Sequence, residues 1–383
     1  MIRRVVPSQN GEALTQRTVA ILIMTGVAWL APSQGASLKP SGKYLFEQNC
    51  MACHGVDGTG APSSTVGFAV PLPDFTDSSF ASREPAADWV KVAQEGGPAR
   101  GFSEIMPAFG DALTEEELLA AVEYISTFYG DKNWPRGELN LPKALVTTKA
   151  FPEDELVLTS SYRPEGDAKL SNKLIYERRI GPLNQVELIV PFGWAEQPIS
   201  GTSDTQWQSS MGDVGIAYKR VMLHSMKSGS ILSLGGELFL PTGDKEKGFG
   251  ADTTVFEPYV SYGQILPSDH FLQAQAGLVW PYDSKKKNEK AFWRGVVGRT
   301  FFSGVYGRAW SPMIELLGSK ELVSSARTEW DVVPQLQVTL STRQHVRLAV
   351  GARIPMNDTD TRKPEYMIYL LWDWFDGGFF EGW

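Results

Sequence analysis

The chain has 383 residues, too many for one ordinary compact domain, and with 42% hydrophobic and 21% charged residues it is not a disordered polymer. A net charge of −8 excludes a general nucleic-acid binder, which would carry a basic patch. Cys50 and Cys53 are the only cysteines, so no disulfide framework holds the fold.

Charge divides the chain into pieces of different character. Residues 37–131 carry 5 Lys and Arg against 14 Asp and Glu, a balance of −9; residues 132–149 carry 4 against 1, or +3; residues 150–383 carry 24 against 28, or −4. The expected organisation is a signal over 1–36, a helical domain over 37–131, a connector over 132–150 and a strand-built domain over 151–383. In the first piece Arg3, Arg4 and Arg17 precede an apolar run from Val19 to Ala31, followed by Pro32-Ser33-Gln34-Gly35-Ala36. That is the order of a secretory signal. The run of 13 residues is short of the roughly 20 that span a bilayer as a helix, and cleavage is expected near Gly35 or Ala36.

Cys50-Met51-Ala52-Cys53-His54 is the C-x-x-C-H pattern of covalent haem attachment. Two thiols at this spacing add across the two haem vinyl groups, and the adjoining histidine reaches the iron from one face. A thioredoxin-like redox pair would need a βαβ context, which is not visible here. A zinc site would need further ligands, and His224, His270 and His345 lie far away in strand-like segments. Of the two methionines in this domain, Met51 sits between the cysteines and cannot reach the opposite haem face. Met106 precedes Pro107, which biases it toward an extended loop conformation. The site residues are therefore Cys50, Cys53, His54 and Met106, with His54 and Met106 on the iron. His/Met ligation suits electron transfer rather than oxygen activation, because no iron position is left open. No enzymatic activity is expected on that ground, although ferrous-iron oxidation is compatible with it.

Ser41 to Glu47 reads as the start of a helix leading into the haem motif. Thr114-Glu115-Glu116-Glu117 supplies an N-cap and acidic first turn before Leu118, Leu119, Val122, Ile125 and Phe128 at helical spacing. These features together resemble the class I cytochrome c family over about a quarter of the chain. The resemblance implies that the first and last helices cross at Gly42, Phe46 and Tyr124. It also implies that a backbone carbonyl, of Pro62 or of Pro71, orients the imidazole of His54.

After residue 150 the period changes to two. Val186, Leu188, Val190, Phe192 and Trp194 alternate with Gln185, Glu187, Ile189, Pro191 and Gly193, and the pattern recurs through Tyr366, Ile368, Leu370, Trp372 and Trp374. Twelve strands are expected near 154–162, 169–180, 183–194, 212–224, 229–241, 254–264, 269–280, 291–302, 308–317, 326–340, 344–354 and 365–374. Most have the length of a tilted membrane strand. The gaps alternate between long and short, as in an outer-membrane barrel with tight periplasmic turns and long external loops. A soluble sandwich also alternates, but it would not explain the long strands and outward Trp and Tyr. The aromatic run Phe379-Phe380-Glu381-Gly382-Trp383 adds mild support for a membrane barrel.

The fold class is thus an all-α monohaem cytochrome c domain followed by an antiparallel transmembrane β-barrel of about twelve strands. Twelve tilted strands enclose a backbone diameter of roughly 24 Å, and side chains leave roughly half of that. A domain of about 90 residues is about 30 Å across, so the haem domain must sit below the barrel mouth, tethered through Lys132-Asn133-Trp134-Pro135-Arg136. Glu187, Lys219, Glu237, Glu257, Arg294, Arg347 and Arg353 are expected to face the lumen, as interior salt bridges or as a substrate path.

Met211 to Lys219, with Pro241-Thr242-Gly243-Asp244, resembles the MetA-type outer-membrane transporters associated with phenol degradation. The whole arrangement resembles the cytochrome–porin fusions of bacteria that oxidise extracellular ferrous iron, although this barrel is smaller than theirs. Two functions follow as expectations. One is electron transfer by a single covalent haem c at the bacterial outer membrane, with the haem domain on the periplasmic side. It would exchange electrons with a basic periplasmic redox protein or, across the membrane, with an external donor such as ferrous iron. The other is a transporter or channel for a small solute with an accessory haem domain.

Overall fold

The computed structural model of the chain describes residues 39–165, 168–199, 204–303 and 308–374. The signal over 1–36 and the aromatic run 379–383 lie outside the described residues. The helical domain consists of α1 Gly42–Asn49, α2 Met51–His54, α3 Ser63–Val66, α4 Ser78–Ala81, α5 Ala86–Glu95 and α6 Glu115–Ile125, with a 3₁₀ turn Gly97–Arg100 after α5.

α1 begins where the Ser41 hydroxyl accepts the Tyr44 amide. α6 begins with a reciprocal capping box, in which the Thr114 hydroxyl accepts the Glu117 amide and the Glu117 carboxylate accepts the Thr114 amide. The two helices cross closely. A Cβ on Gly42 would lie 2.0 Å from the Ala120 carbonyl oxygen, so only a hydrogen fits there. The Phe46 ring, wholly buried, sits 5.6 Å from Tyr124 and 5.2 Å from Phe128. The crossing at Gly42, Phe46 and Tyr124 is thus the one the resemblance implied. Behind it Val90 of α5 packs with Leu118 and Val122 of α6.

Thr114→Ala is expected to destabilise the helical domain by about 1 kcal/mol, measured by chemical denaturation. Hydrogen bonds from the Thr114 amide and hydroxyl hold the Glu117 carboxyl below its ordinary value. Its contribution is therefore present above the unfolded carboxyl pKa of about 4.3 and is lost as pH falls through the depressed folded value. The gap between wild type and variant should accordingly narrow in acid.

The strands are β1 Glu155–Arg163, β2 Lys169–Ile180, β3 Asn184–Pro198, β4 Thr205–Met211, β5 Gly215–Ser225, β6 Ser230–Phe239, β7 Val255–Ile265, β8 His270–Pro281, β9 Lys290–Arg299, β10 Phe301–Ser303, β11 Arg308–Glu321, β12 Glu329–Thr339, β13 Val346–Pro355 and β14 Glu365–Asp373. All pairings are antiparallel, and twelve strands close into a barrel. Closure is made between the first and last strands, from Glu155 opposite Asp373 to Tyr162 opposite Tyr366. β4 and β10 are the two strands outside that count. β4 continues the place of β5 alongside β3, after a break at 212–214. Pro191 of β3 faces that break and has no amide to donate; its carbonyl accepts the Gly212 amide, at 2.8 Å. Residues 195–211, expected as a loop, are therefore largely a rising hairpin. Its residues Thr205 to Met211 have no apolar period because most of them face water.

At one end of the barrel the strands join through the short turns 181–183, 226–229, 266–269 and 340–345; at the other the connections include 240–254, 282–289 and 356–364. The outer wall is an exposed apolar band, including Leu174, Leu188, Ile216, Leu234, Val297, Ile314, Val350 and Leu370. Tyr176, Tyr218 and Trp310 border it toward the short turns, and Trp194, Trp280 and Tyr366 toward the long loops. A continuous apolar wall between two aromatic girdles is the surface a lipid bilayer covers. Among the described residues no helix is long and apolar enough to cross a membrane.

The expected lumenal residues Glu187, Lys219, Glu237, Glu257, Arg294, Arg347 and Arg353 are all buried or half-buried on the inner wall. The connector differs from expectation. Residues 132–150 are not a free tether: after a 3₁₀ turn Gly137–Leu139, the chain runs through the lumen to β1. Leu139, Leu141, Ala144, Leu145, Ala150 and Phe151 are buried in the barrel's interior clusters with residues such as Tyr369, Val333, Phe271 and Ile231.

Candidate haem site and its docking on the barrel

Cys50 ends α1 and opens α2, so one helical corner presents both thiols. Residues three apart in a helix share a face, and Cys50 and Cys53 stand there as free, half-buried thiols. Burial, assisted by Cys53, pushes the Cys50 thiol up to about 11, so it is protonated at neutral pH. Burial also holds the His54 imidazole below its ordinary value. A neutral ring with a free lone pair is the form that ligates a metal.

The His54 ring stacks on Phe75 at 4.9 Å and 27°. Its Nδ1 is buried with no hydrogen-bond partner among the described residues. The Pro62 carbonyl, one of the two expected partners, instead caps α3 by accepting the amides of Thr65 and Val66. An orphaned buried nitrogen is costly. What fits a covalently held haem is the donor set, two free thiols beside a neutral imidazole.

Met106 lies on a loop held from behind. Its carbonyl accepts the Gly97 amide at 3.0 Å, its amide donates to the Ser103 carbonyl, and the Phe102 amide returns to the Gly97 carbonyl. A Cβ at Gly97 would lie 2.1 Å from the Ser103 oxygen, so glycine allows the fold-back. Buried Arg100 ties this turn to α5 by donating to Asp88 through both Nε (3.2 Å) and Nη2 (2.6 Å). Cys50, Cys53 and His54 therefore come together on one corner, and Met106 stands on a separate segment. On the side of the corner, Phe75 in turn meets Trp89 of α5 edge-on at 5.4 Å. Sequence reasoning missed Phe75, Trp89, Asp88 and Arg100. The apolar spacing of Ala86, Trp89, Val90 and Ala93 was the available signal for α5.

Among the described residues no histidine or cysteine joins a group of three that could hold a metal ion. The one such group is Glu153, Glu155 and Asp373, buried at the barrel's short-turn end. Lys149 pairs with both Glu153 and Glu155 and so supplies the countercharge itself.

The helical domain meets the short-turn end. Arg83, just after α4, pairs with Asp154 immediately before β1. Asp154 also accepts the Arg179 amide at 3.0 Å. The Gly137 amide donates to the Ser82 carbonyl at 2.7 Å, and Glu138 accepts the Ala86 amide. Arg179 stacks its guanidinium on Trp134 and Phe151 where the connector enters the barrel. Arg343, in the 340–345 turn, donates to the Gly101 carbonyl and lies 4.6 Å over the Phe102 ring, close to the Met106 loop.

Both parts of the chain are similar to known proteins. Residues 38–125 match the family described as cytochrome C oxidase, cbb3-type, subunit III. Over 118 residues the chain is 31% identical to the chloroplastic cytochrome c6 of Chlamydomonas reinhardtii, covering 30% of this chain and 70% of that protein. Among solved structures, a c-type cytochrome is similar over 24% of this chain and 100% of its own, at 28% identity and a TM-score of 0.20. An outer-membrane channel from Pseudomonas putida F1 is similar over 60% of this chain and 99% of its own, at 11% identity and a TM-score of 0.43. The KdgM porin in complex with disordered oligogalacturonate is similar over 57% and 98%, at 11% identity and a TM-score of 0.38.

Proposed function

We propose, from the premise that this chain belongs to the c-type cytochromes, that it is an electron-transfer protein fixed to the bacterial outer membrane, with its haem domain on the periplasmic side. The observation that carries this reading is the Cys50–His54 corner, where two free thiols adjoin an imidazole that burial keeps neutral. A single haem c bound there would supply a one-electron couple whose potential is set by its axial ligands. Cys50 and Cys53 would hold it covalently, and His54 and Met106 would ligate its iron. The Arg100–Asp88 pair and the Gly97 fold-back keep the Met106 loop in place. Ligation of the iron by His54 and Met106 would suit the protein to carrying electrons rather than to turning over a substrate.

Two observations support the location. The exposed apolar wall between aromatic girdles calls for lipid, and the short turns of such barrels lie on the periplasmic side. The haem domain is docked at that same end through Arg83 and Arg343. The acidic balance of residues 37–131 favours a basic periplasmic redox protein as partner, found by electrostatic steering. Its association rate should fall steeply with added salt.

Redox-titrated visible spectroscopy of the purified protein tests this reading. His54→Ala is expected to abolish the low-spin six-coordinate spectrum, and Met106→Ala to lower the midpoint potential and open the iron to added ligands. A Met106→Ala protein with unchanged spectrum and potential would remove Met106 as ligand. Colourless wild-type protein from a host with working haem attachment would remove the reading altogether.

A further inference from the structure

We propose that the barrel is a sealed membrane anchor: its inner surface is an interaction surface whose partner is the chain's own segment 139–153, and no solute path runs through it. A lumen of roughly 12 Å inside twelve strands is about filled by one extended segment with its side chains, since packed backbone layers stand about 10 Å apart.

The segment is fastened around the full circumference. On one side the Leu145 amide donates to Gln335 of β12, and Glu315 of β11 accepts the amides of Val146 and Thr147 together with the Thr147 hydroxyl. Arg294 of β9 donates to the Val146 carbonyl, and Gln273 of β8 donates to that of Pro142. On the other side Lys219 of β5 donates to the Lys149 carbonyl, Ser233 of β6 to that of Ala150, and the Glu153 amide donates to Gln185 of β3. Lys143 pairs with Glu177 of β2 at 3.2 Å, Lys149 with Glu155 of β1 at 2.9 Å, and the Tyr369 hydroxyl of β14 donates to the Lys143 carbonyl at 2.7 Å. The last two strands are met by packing. An added Cβ at Gly351 of β13 would lie 2.6 Å from Leu145, and one at Gly263 of β7 would lie 3.1 Å from Leu141.

All twelve strands of the ring thus touch this one segment. The lysines of the plug neutralise wall carboxylates, and wall amides and hydroxyls satisfy the plug's backbone. A removable gate would leave both sets unsatisfied in a low-dielectric barrel. The same threading fixes the haem domain at the short-turn end, because the connector is held on both sides of the barrel mouth, by Arg179 and by Lys149. The proposal does not depend on the identity of the iron ligands.

Planar-bilayer recording of the full haem-loaded chain in potassium chloride is the test. The wild type is expected to give no conductance steps. A variant with residues 141–150 replaced by a Gly-Ser sequence of equal length should give stepwise, cation-selective current, because Lys143 and Lys149 no longer neutralise Glu177 and Glu155. Stepwise ohmic current through the wild type would overturn the proposal. Silence from a replacement variant that still migrates as a folded barrel on unheated gels would also overturn it. Should that variant not fold, Val146→Cys in the otherwise intact chain decides: protection from a charged maleimide supports the plug, and rapid labelling overturns it.

Discussion

Gly42→Val is expected to abolish haem incorporation while leaving the barrel folded. The wild-type position already holds the Ala120 carbonyl 2.0 Å from where a Cβ would stand, with its carbon at 2.8 Å and the Tyr124 Cβ at 3.2 Å. None of these is the far end of a flexible side chain, so α1 and α6 must separate. Overpacking of this kind costs about 1–3 kcal/mol. Separation also exposes Phe46, whose complete loss by truncation would cost about 3–5 kcal/mol. A small domain has only about 5–15 kcal/mol in total, and this crossing joins its two ends. Haem content per barrel, measured alongside heat-modifiable migration, checks the result. Gly130→Ala is the control, because an added Cβ there meets nothing within 4 Å. Normal haem content in Gly42→Val would show that the crossing does not govern assembly.

The second large effect is expected at Asp154, whose carboxylate is nearly inaccessible at 2% exposure. It faces Arg83 from the haem domain and Arg178 at 3.3 Å, and accepts the Arg179 amide. Asp154→Ala removes the anion and leaves the arginine charges in a partly buried interface, at a cost of about 3–5 kcal/mol. The haem domain should then swing from the barrel, seen as new protease cleavage within 130–136 and faster amide exchange over 79–86. Asp154→Asn retains an acceptor for the Arg179 amide and should fall between. The barrel itself should be unaffected, because Lys149, Glu155 and the plug contacts remain. Unchanged cleavage and exchange in Asp154→Ala would show that the Gly137–Ser82 and Arg343–Phe102 contacts hold the domain by themselves.

Much of this molecule is legible in one dimension, where the chemistry is local. The C-x-x-C-H pattern needs only five consecutive residues, and the Thr114 capping box only four. The strands were legible because the membrane demands an apolar residue at every second position of the wall, and this repeats along 186–194 as along 366–374. The exception illustrates the rule: Thr205 to Met211 carries only Trp207 and Met211 as apolar residues, four apart, too sparse to mark a period of two. The connector did carry a signal, in that Leu139, Leu141, Leu145 and Phe151 are too apolar for a solvent-exposed tether. Nothing in the order of residues says what would cover them.

The amino-acid order alone determined the haem-attachment motif and the number of strands in the ring, because each follows from a few consecutive residues or from a repeating period. Only the tertiary structure decided that the connector fills the lumen and that the haem domain is clamped rather than tethered. Those outcomes rest on pairs such as Lys143 with Glu177, Thr147 with Glu315 and Arg83 with Asp154. Such charges and amides find each other across 34, 168 and 71 residues of chain, and closure of the barrel is what brings them within reach.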